Sequence, residues 1–522
     1  AWAAFFAQWW FQPEHWPQNI YGAAGPVAGG VIFVLVSYVV WYPIIQQIFS
    51  WAIAHQIRDI ECSSAAPGLR VAFITTFVPQ SESVELLQKC LPAMVSAAYS
   101  HDTWLLDEGD LPEARALCLK IGVKHFTRLG QDKYNTISGK FLRKTKGGNH
   151  NSWYDVHGQD YDFVAQLDTD FVPDPAYLER TLGYFKDPAV GFVGTPQVYG
   201  NTEASIIARG AAEQAYNFYG PILRGFSAMG TAVMIGANHV VRVAALQSVG
   251  HYSAHITEDV LTGMKLHAHG WKSVYVPEVL AVGEGPATWQ AYFIQQMRWA
   301  YGSMDVFLRF SPCLLRRMTA RRACYYFFLL QHYFSGLAMT LGLLGLGVYS
   351  AFGVCSVQIS QIEFIEYYIP LIIMCEAMSI LMQKYNVCPK TERGVLLLGR
   401  IISIAAWPYY MTALFNVIIR RRLIYKVTPK GIRKEESEPH VLQLFGPHYS
   451  IAAYCLLCLI VAITRHHTSA IMLFWLILSA AAMLTVPFTV PISRMLTGLK
   501  SVFHSYPEDL DPVTIEGEHK FV

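Results

Sequence analysis

The stretch Phe163-Val164-Ala165-Gln166-Leu167-Asp168-Thr169-Asp170 decides how this chain is read. Its first part is a short, mostly apolar run with the length and composition of a buried strand, and the run stops on a pair of carboxylates one residue apart. Working outward, similar runs occur at residues 71–76, 103–106, 123–127 and 190–193, and apolar residues at helical spacing (Val84, Leu87, Leu91, Val95) separate the first two. Strand and helix in alternation predict a mostly parallel sheet with helices on both faces, whose ligand site lies at the carboxyl ends of the strands. Acidic clusters fall at those ends: Asp107-Glu108-Gly109 after the second run and Asp168-Thr169-Asp170 after the fourth. No glycine-rich dinucleotide or P-loop fingerprint follows the first strand, which argues against nicotinamide and simple nucleoside-triphosphatase chemistry.

Residues 55–309 have ordinary polarity and suffice for one substantial core. The flanks differ. Only 15% of the 522 residues are charged and 53% are hydrophobic, against about 25% charged in a soluble chain, and the apolar excess sits in residues 1–50 and 321–490. A spanning helix needs about 20 apolar residues; residues 27–49, 325–352, 364–382, 450–464 and 470–490 qualify to differing degrees. Short cytoplasmic segments collect Lys and Arg. Residues 1–26 and 353–363 contain neither, whereas Arg58, Arg316, Arg317, Arg321 and Arg322 flank the polar block, and Lys384, Lys390 and Arg393 follow the third run. The run 395–419, interrupted by Arg400, is placed flat at the interface, because crossing would put the basic stretch 420–434 outside. This predicts five spans, an outer N-terminus, and a cytosolic catalytic block and C-terminus. Residues 1–18, with Trp2, Trp9, Trp10 and Trp16, read as an aromatic interfacial segment and, lacking a basic start, not as a cleavable signal. Ten cysteines without paired spacing predict a reducing compartment and no disulfide framework. A net charge of +2, from 40 basic and 38 acidic residues, argues against a dedicated nucleic-acid binder.

Further patterns carry chemistry. Asp168 and Asp170 can present hard oxygen ligands to a divalent cation that also holds a diphosphate. Thr257-Glu258-Asp259 opens a helical run and offers an acid able to take a proton from a hydroxyl; a plain helix start with acids favoured by the dipole reads equally well. Gln295-Gln296-Met297-Arg298-Trp299 lies on an amphipathic segment, where an indole can cover a sugar ring and a guanidinium can neutralise a phosphate, or where both merely anchor. In this order they fit glycosyl transfer from a nucleoside diphosphate sugar.

Over residues 70–431 the chain resembles the membrane-embedded processive glycosyltransferase family 2 enzymes, and within them the catalytic subunits of cellulose synthase and their curdlan-synthase-like relatives. The carrying motifs are Asp107-Glu108-Gly109, Lys146-Gly147-Gly148-Asn149, Asp168-Thr169-Asp170, Thr257-Glu258-Asp259, Gln295-Gln296-Met297-Arg298-Trp299, and Tyr425-Lys426-Val427-Thr428-Pro429-Lys430-Gly431, which is similar to the family's gating loop. The resemblance implies a GT-A-type α/β domain, with a mostly parallel sheet, inserted between transmembrane helices. Its divisions would be an interfacial segment and span at 1–50, the cytosolic catalytic domain at 51–315, a span pair at 316–392, an interfacial helix and gating loop at 393–449, a span pair at 450–492 and a cytosolic tail at 493–522. It implies Asp259, with Glu258, as catalytic; Thr76, Asp107, Lys146, Asp168, Arg298, Thr428 and Lys430 as donor contacts; Trp299, Gln295 and Gln296 as acceptor contacts; and Mg²⁺ or Mn²⁺ on Asp168 and Asp170. The implied activity is inverting, processive polymerisation of a β-glucan from UDP-glucose onto a growing polysaccharide, extruded across the lipid bilayer. Departures exist: Thr75-Thr76-Phe77-Val78-Pro79 replaces the family's usual Pro-Thr-Tyr-Asn-Glu start, and Glu108 stands where a second Asp is usual. No C-terminal cyclic-di-GMP-binding domain is expected, and the Trp-Gly-Thr motif of hyaluronan and chitin synthases is missing from residues 420–446. The alternatives are a synthase of hyaluronan, chitin or mannan type, a non-processive lipid glycosyltransferase, and a channel with an inactive sugar-nucleotide-binding domain.

Overall fold

A computed structural model describes residues 2–16, 25–353, 357–421, 423 and 441–503, with Gly25, Pro26 and 490–503 as backbone only. The motif at 425–431, including Thr428 and Lys430, and the tail beyond Phe503 lie outside the described residues.

Ten strands are formed among the described residues: β1 (Val71–Phe77), β2 (Asp102–Asp107), β3 (Lys124–Phe126), β4 (Phe163–Asp168), β5 (Val172–Pro173), β6 (Val190–Gly194), β7 (Val198–Tyr199), β8 (Asn238–Arg242), β9 (Lys272–Tyr275) and β10 (Ala281–Gly283). Seven of them build one sheet in the order β3-β2-β1-β4-β8-β6-β9, and β5-β10-β7 form a small second sheet. Pairing is parallel from β3 through β4 and between β6 and β9, while β8 runs antiparallel to both β4 and β6. The predicted mostly parallel sheet is therefore present with one reversed strand. That reversal matters: Leu167 pairs with Asn238, and the Asp168 N–H donates to the Ala237 carbonyl at 2.9 Å, so the loop before β8 lies at the carboxyl end of β4.

Alternation across the pleat explains the layers. Phe73, Leu105, Ala165, Val193 and Val240 point into one core, and Ala72, Ile74, Trp104, Leu106, Val164, Phe192 and Val241 into the other. β1 is buried at every position. Each large apolar side chain so covered contributes roughly 1.5–3 kcal/mol, which fixes the register that aligns the strand ends.

Six described helices are long and apolar enough to cross a membrane: Val27–Ala54, His332–Phe352, Gln361–Tyr385, Leu397–Ile418, Gly446–Thr464 and Ala470–Thr489. The expected run 325–352 is divided. Its first part belongs to the helix Ala320–Leu330, where Tyr326 is buried and its hydroxyl meets His267 Nδ1 at 2.6 Å, packing that helix against the polar block. Leu397–Ile418 meets the same length and composition, yet half of its apolar window is buried within the protein. Its Gly399 N–H donates to Glu213 Oε2 at 3.0 Å and its core residues join those of Ile206–Asn217 and Trp289–Asp305. The N-terminal helix Trp2–Trp10 folds onto Gly25–Ala54 and Gln361–Met382, with Trp9 stacked on Tyr367 at 4.4 Å and Trp10 Nε1 donating to Ser37 at 2.9 Å. The nine described cysteines are all free.

Candidate active site

The register puts the acidic residues side by side: Phe77 pairs with Asp107 across β1 and β2, and Thr76 pairs with Asp168 across β1 and β4. Asp107 is fully buried; its carboxylate accepts the N–H groups of Gly109 and Leu111 at 2.9 and 2.7 Å and faces His125 Nε2 at 3.3 Å. Glu108 accepts two N–H bonds from the buried Arg128 guanidinium, which makes the longer side chain part of the scaffold. The Thr76 hydroxyl lies 2.8 Å from His150 Nε2, whose imidazole is held well below its usual pKa by burial and by the Lys146 charge, and so is neutral.

Lys146 ties the motifs together. It is the first residue of the helix Lys146–His157, capped by the Thr145 hydroxyl on Gly148 N–H. Its ammonium bonds Asp168 and also donates to the Gly236 carbonyl at 2.6 Å. Gly236 in turn lies directly under Asp259, where a Cβ would sit 2.6 Å from Oδ2. Asp168 and Asp259, distant in sequence, are thereby bridged by one lysine and one glycine. The neighbouring glycines are explained the same way: a Cβ on Gly147 would lie 3.4 Å from that of Glu258, and on Gly148 only 2.1 Å from the Leu142 carbonyl.

Glu258 and Asp259 open the helix Glu258–Ala268. Burial and the adjacent Asp259 charge push the Glu258 carboxyl up to about 7, against the opposing pull of Lys146 and Arg298. Asp259 is raised as well, chiefly by burial, while the N–H groups of Val260 and Gly236 and the Lys146 charge pull it back. The Arg298 charge thus reaches Glu258. Arg298 and Trp299 are both half-buried on the helix Trp289–Asp305. Gln295 and Gln296 are buried; the Gln296 carbonyl accepts the Tyr410 hydroxyl at 2.9 Å and its amide donates to Gln214 at 3.4 Å, so this side chain joins three helices.

A brace on the far side of the Thr257-Glu258-Asp259 turn was not legible in the sequence. His255 Nδ1 accepts the Thr257 N–H at 3.2 Å, so the ring proton sits on Nε2 and donates to Asp305 at 3.1 Å; both side chains are under a tenth exposed. Asp305 is ion-paired with Arg309 at 3.0 Å, and Arg309 donates to the Val417 carbonyl at 3.0 Å, at the end of Leu397–Ile418. Gly302 sits against Thr257, where a Cβ would meet Cγ2 at 2.2 Å. The only sequence cue was position, with Asp305 and Arg309 one and two turns beyond Met297–Ala300 on the same helical path.

The residues at the end of β4 suit a hard divalent cation. Asp168 is part-exposed and Asp170 buried, and Glu82, whose oxygens accept the Val78 N–H at 2.7 Å and the Thr169 hydroxyl at 2.8 Å, adds a third negative charge nearby. Cys90 beneath them is pushed up by burial and by all three carboxylates, which marks a shared negative field. Oxygen donors of this kind fit Mg²⁺ or Mn²⁺. Among the described residues the group of three possible ligands whose atoms lie within 4.8 Å of each other is Asp107, Asp110 and His125; both of its acids are engaged, Asp107 by backbone N–H groups and Asp110 by Arg115.

Part of the chain is similar to known glycosyltransferases. Residues 163–382 match the family model described as glycosyl transferase family group 2. The chain is 37% identical over 153 residues to a UDP-forming cellulose synthase catalytic subunit from Dictyostelium discoideum, covering 28% of this chain and 14% of that one. It is 25% identical over 308 residues to the UDP-forming cellulose synthase catalytic subunit of Pseudomonas fluorescens (strain SBW25), covering 57% and 40% respectively, so the matches span less than half of these relatives. A solved mannosyltransferase from Pyrobaculum calidifontis, in complex with GDP-Man and Mn²⁺, aligns over 75% of this chain and 99% of its own at 13% identity and a TM-score of 0.49. The family match begins at β4 and runs on through the apolar helices His332–Phe352 and Gln361–Met382, so the stretch similar to glycosyl transferase family group 2 joins the second half of the polar block to helices long and apolar enough to cross a membrane.

Proposed function

We propose that the protein is a processive, inverting glycosyltransferase that builds a β-glucan from UDP-glucose at the cytosolic face and passes it outward between its own spans. The single observation that carries the reading is the bridge from Asp168 through Lys146 and Gly236 to Asp259, because donor activation and acceptor deprotonation must converge on one anomeric carbon. The UDP-forming cellulose synthase relatives support the donor and the product class.

In this reading Asp259 takes the proton of the acceptor hydroxyl. Burial lifts its pKa, as a base working near neutral pH requires, and Lys146 keeps it from being locked in its protonated form. Asp168 and Asp170 would hold Mg²⁺ or Mn²⁺, which neutralises diphosphate charge and makes UDP a better leaving group. Asp107 and Thr76 mark the nucleoside end, Lys146 and Arg298 the charged middle, and Trp299 with Gln295 the acceptor platform. Gln296 orients that platform through Tyr410 and Gln214. Thr428 and Lys430, outside the described residues, are assigned to the diphosphate by the motif resemblance alone.

The test is incubation of the purified protein in bilayers with radiolabelled UDP-glucose and Mg²⁺, with sizing of the product and digestion by linkage-specific glucanases. A long polymer cut by a β-glucanase is expected. A single sugar on lipid, or incorporation only from another UDP-sugar, overturns the reading. Asp259→Asn should lower turnover by roughly 10²–10⁴ with UDP binding retained.

A further inference from the structure

We infer that a pocket at the junction of the first apolar helix and the helix Ala320–Leu330 binds a phosphate-bearing anion at the membrane surface, independently of the catalytic site. A cavity of about 220 Å³ has Gln56, Arg58, Met229, Thr319, Arg321 and Arg322 in its lining. Its depth follows from the chain. Gln56 and Arg58 come just after the apolar segment Val27–Ala54, and Arg321 and Arg322 come about ten residues before the span His332–Phe352. The pocket therefore lies beside the headgroups of the leaflet that faces the catalytic block.

The charge is one-sided. Among the described residues, every arginine–carboxylate pair within 4 Å involves other arginines, so Arg58, Arg321 and Arg322 face one cavity without an acid. The guanidiniums are positioned by neutral groups: Arg321 donates to the Gln56 side-chain carbonyl, and Arg322 donates to the Met229 carbonyl at 3.1 Å. Each keeps further N–H donors for an anion, because a guanidinium has five. Thr319 caps the eleven-residue helix here, accepting the Arg322 N–H at 3.4 Å, so the positive end of the helix dipole adds to the field. Three like charges around one small cavity repel one another, and an anion relieves that repulsion. A lipid phosphate or a free phosphate supplies the same chemistry, and basic pockets beside spanning helices are where anionic headgroups bind.

The experiment uses the full-length protein in nanodiscs of phosphatidylcholine, with or without phosphatidylglycerol, followed by native mass spectrometry, and in parallel titration of phosphatidylcholine nanodiscs with inorganic phosphate, read by thermal midpoint. Wild type should retain phosphatidylglycerol over phosphatidylcholine by roughly tenfold or more. Arg58→Gln, which breaks no ion pair, and the triple variant with Arg321→Gln and Arg322→Gln should abolish that preference. Arg316→Gln with Arg317→Gln, outside the cavity, should leave it intact. A saturable rise in midpoint with phosphate, lost in Arg58→Gln and without lipid preference, assigns the pocket to free phosphate. Equal loss in the Arg316 and Arg317 variant, or no retention and no phosphate response in wild type, overturns the proposal.

Discussion

At the scale of single residues, the buried Glu258 is the most informative. Its carboxyl, raised by burial and by Asp259 from the ordinary 4.5 to about 7, binds a proton more tightly when folded than when unfolded. Between those values the native state holds more protons, so stability falls as pH rises through the window and is lowest above it. Glu258→Gln removes this cost. Its thermal midpoint should exceed that of wild type above pH ~7 and converge with it under acid conditions, and a midpoint difference independent of pH would contradict the assignment. His255 makes a separate prediction. His255→Ala leaves the Thr257 N–H buried without its acceptor, at a cost of about 1–3 kcal/mol, and loosens the turn that aims Asp259. Turnover should fall by roughly 10- to 100-fold, UDP affinity should hold, and hydrogen exchange over residues 255–261 should quicken; His255→Gln should restore part of each. The acids Asp107, Asp168, Asp170 and Asp259 were legible because each stands next to a strand end or a helix start. His255 was not, because a histidine between Ala254 and Ile256 carries no local pattern and gains its meaning only when Asp305 arrives from another helix.

At the scale of elements, the packing of Lys146–His157 against its neighbours depends on absent side chains. A methyl on Gly148 would meet the Leu142 carbonyl, Arg128 and Thr145 all within 2.8 Å, and backbone cannot step aside as a flexible side chain can. Gly148→Ala should therefore destabilise by about 1–3 kcal/mol, seen as a lower thermal midpoint with the Asp168 carboxylate mispositioned. The motif Lys146-Gly147-Gly148-Asn149 was visible as letters, but its physical reason, close approach to Glu258 on one side and Leu142 on the other, needs three dimensions. Strand boundaries were read within a residue or two for β1, β2, β4 and β6, since continuous apolar runs ending in turn residues report themselves. The reversed β8 was missed: Asn238-His239-Val240-Val241-Arg242 mixes polar ends with a short apolar centre, and its polar side chains are absorbed by partners such as Thr195, Ile235 and Tyr252.

At the scale of the whole molecule, the path through the bilayer turns on Leu397–Ile418. Its half-buried surface against the polar block suits a helix lying along the interface, and five crossings then keep residues 384–393 and 420–421 on one side. With exposed native cysteines replaced, Lys390→Cys and Arg421→Cys should both react with an impermeant maleimide from the cytosolic side; labelling of the second from outside would make the helix a sixth crossing. Hydropathy alone could not decide this, because it counts apolar residues and does not report whether lipid or protein covers them. The alignment of β2, β1 and β4 has a dimensional result. Neighbouring strands are spaced about 4.8 Å apart, so Asp107 and Asp168, at the ends of strands flanking β1, act as the two marks of a gauge roughly 10 Å long. Under the proposed function a donor held at both ends must reach across that interval, and a sugar nucleotide with one phosphate fewer should bind less tightly, as competition against labelled donor would read.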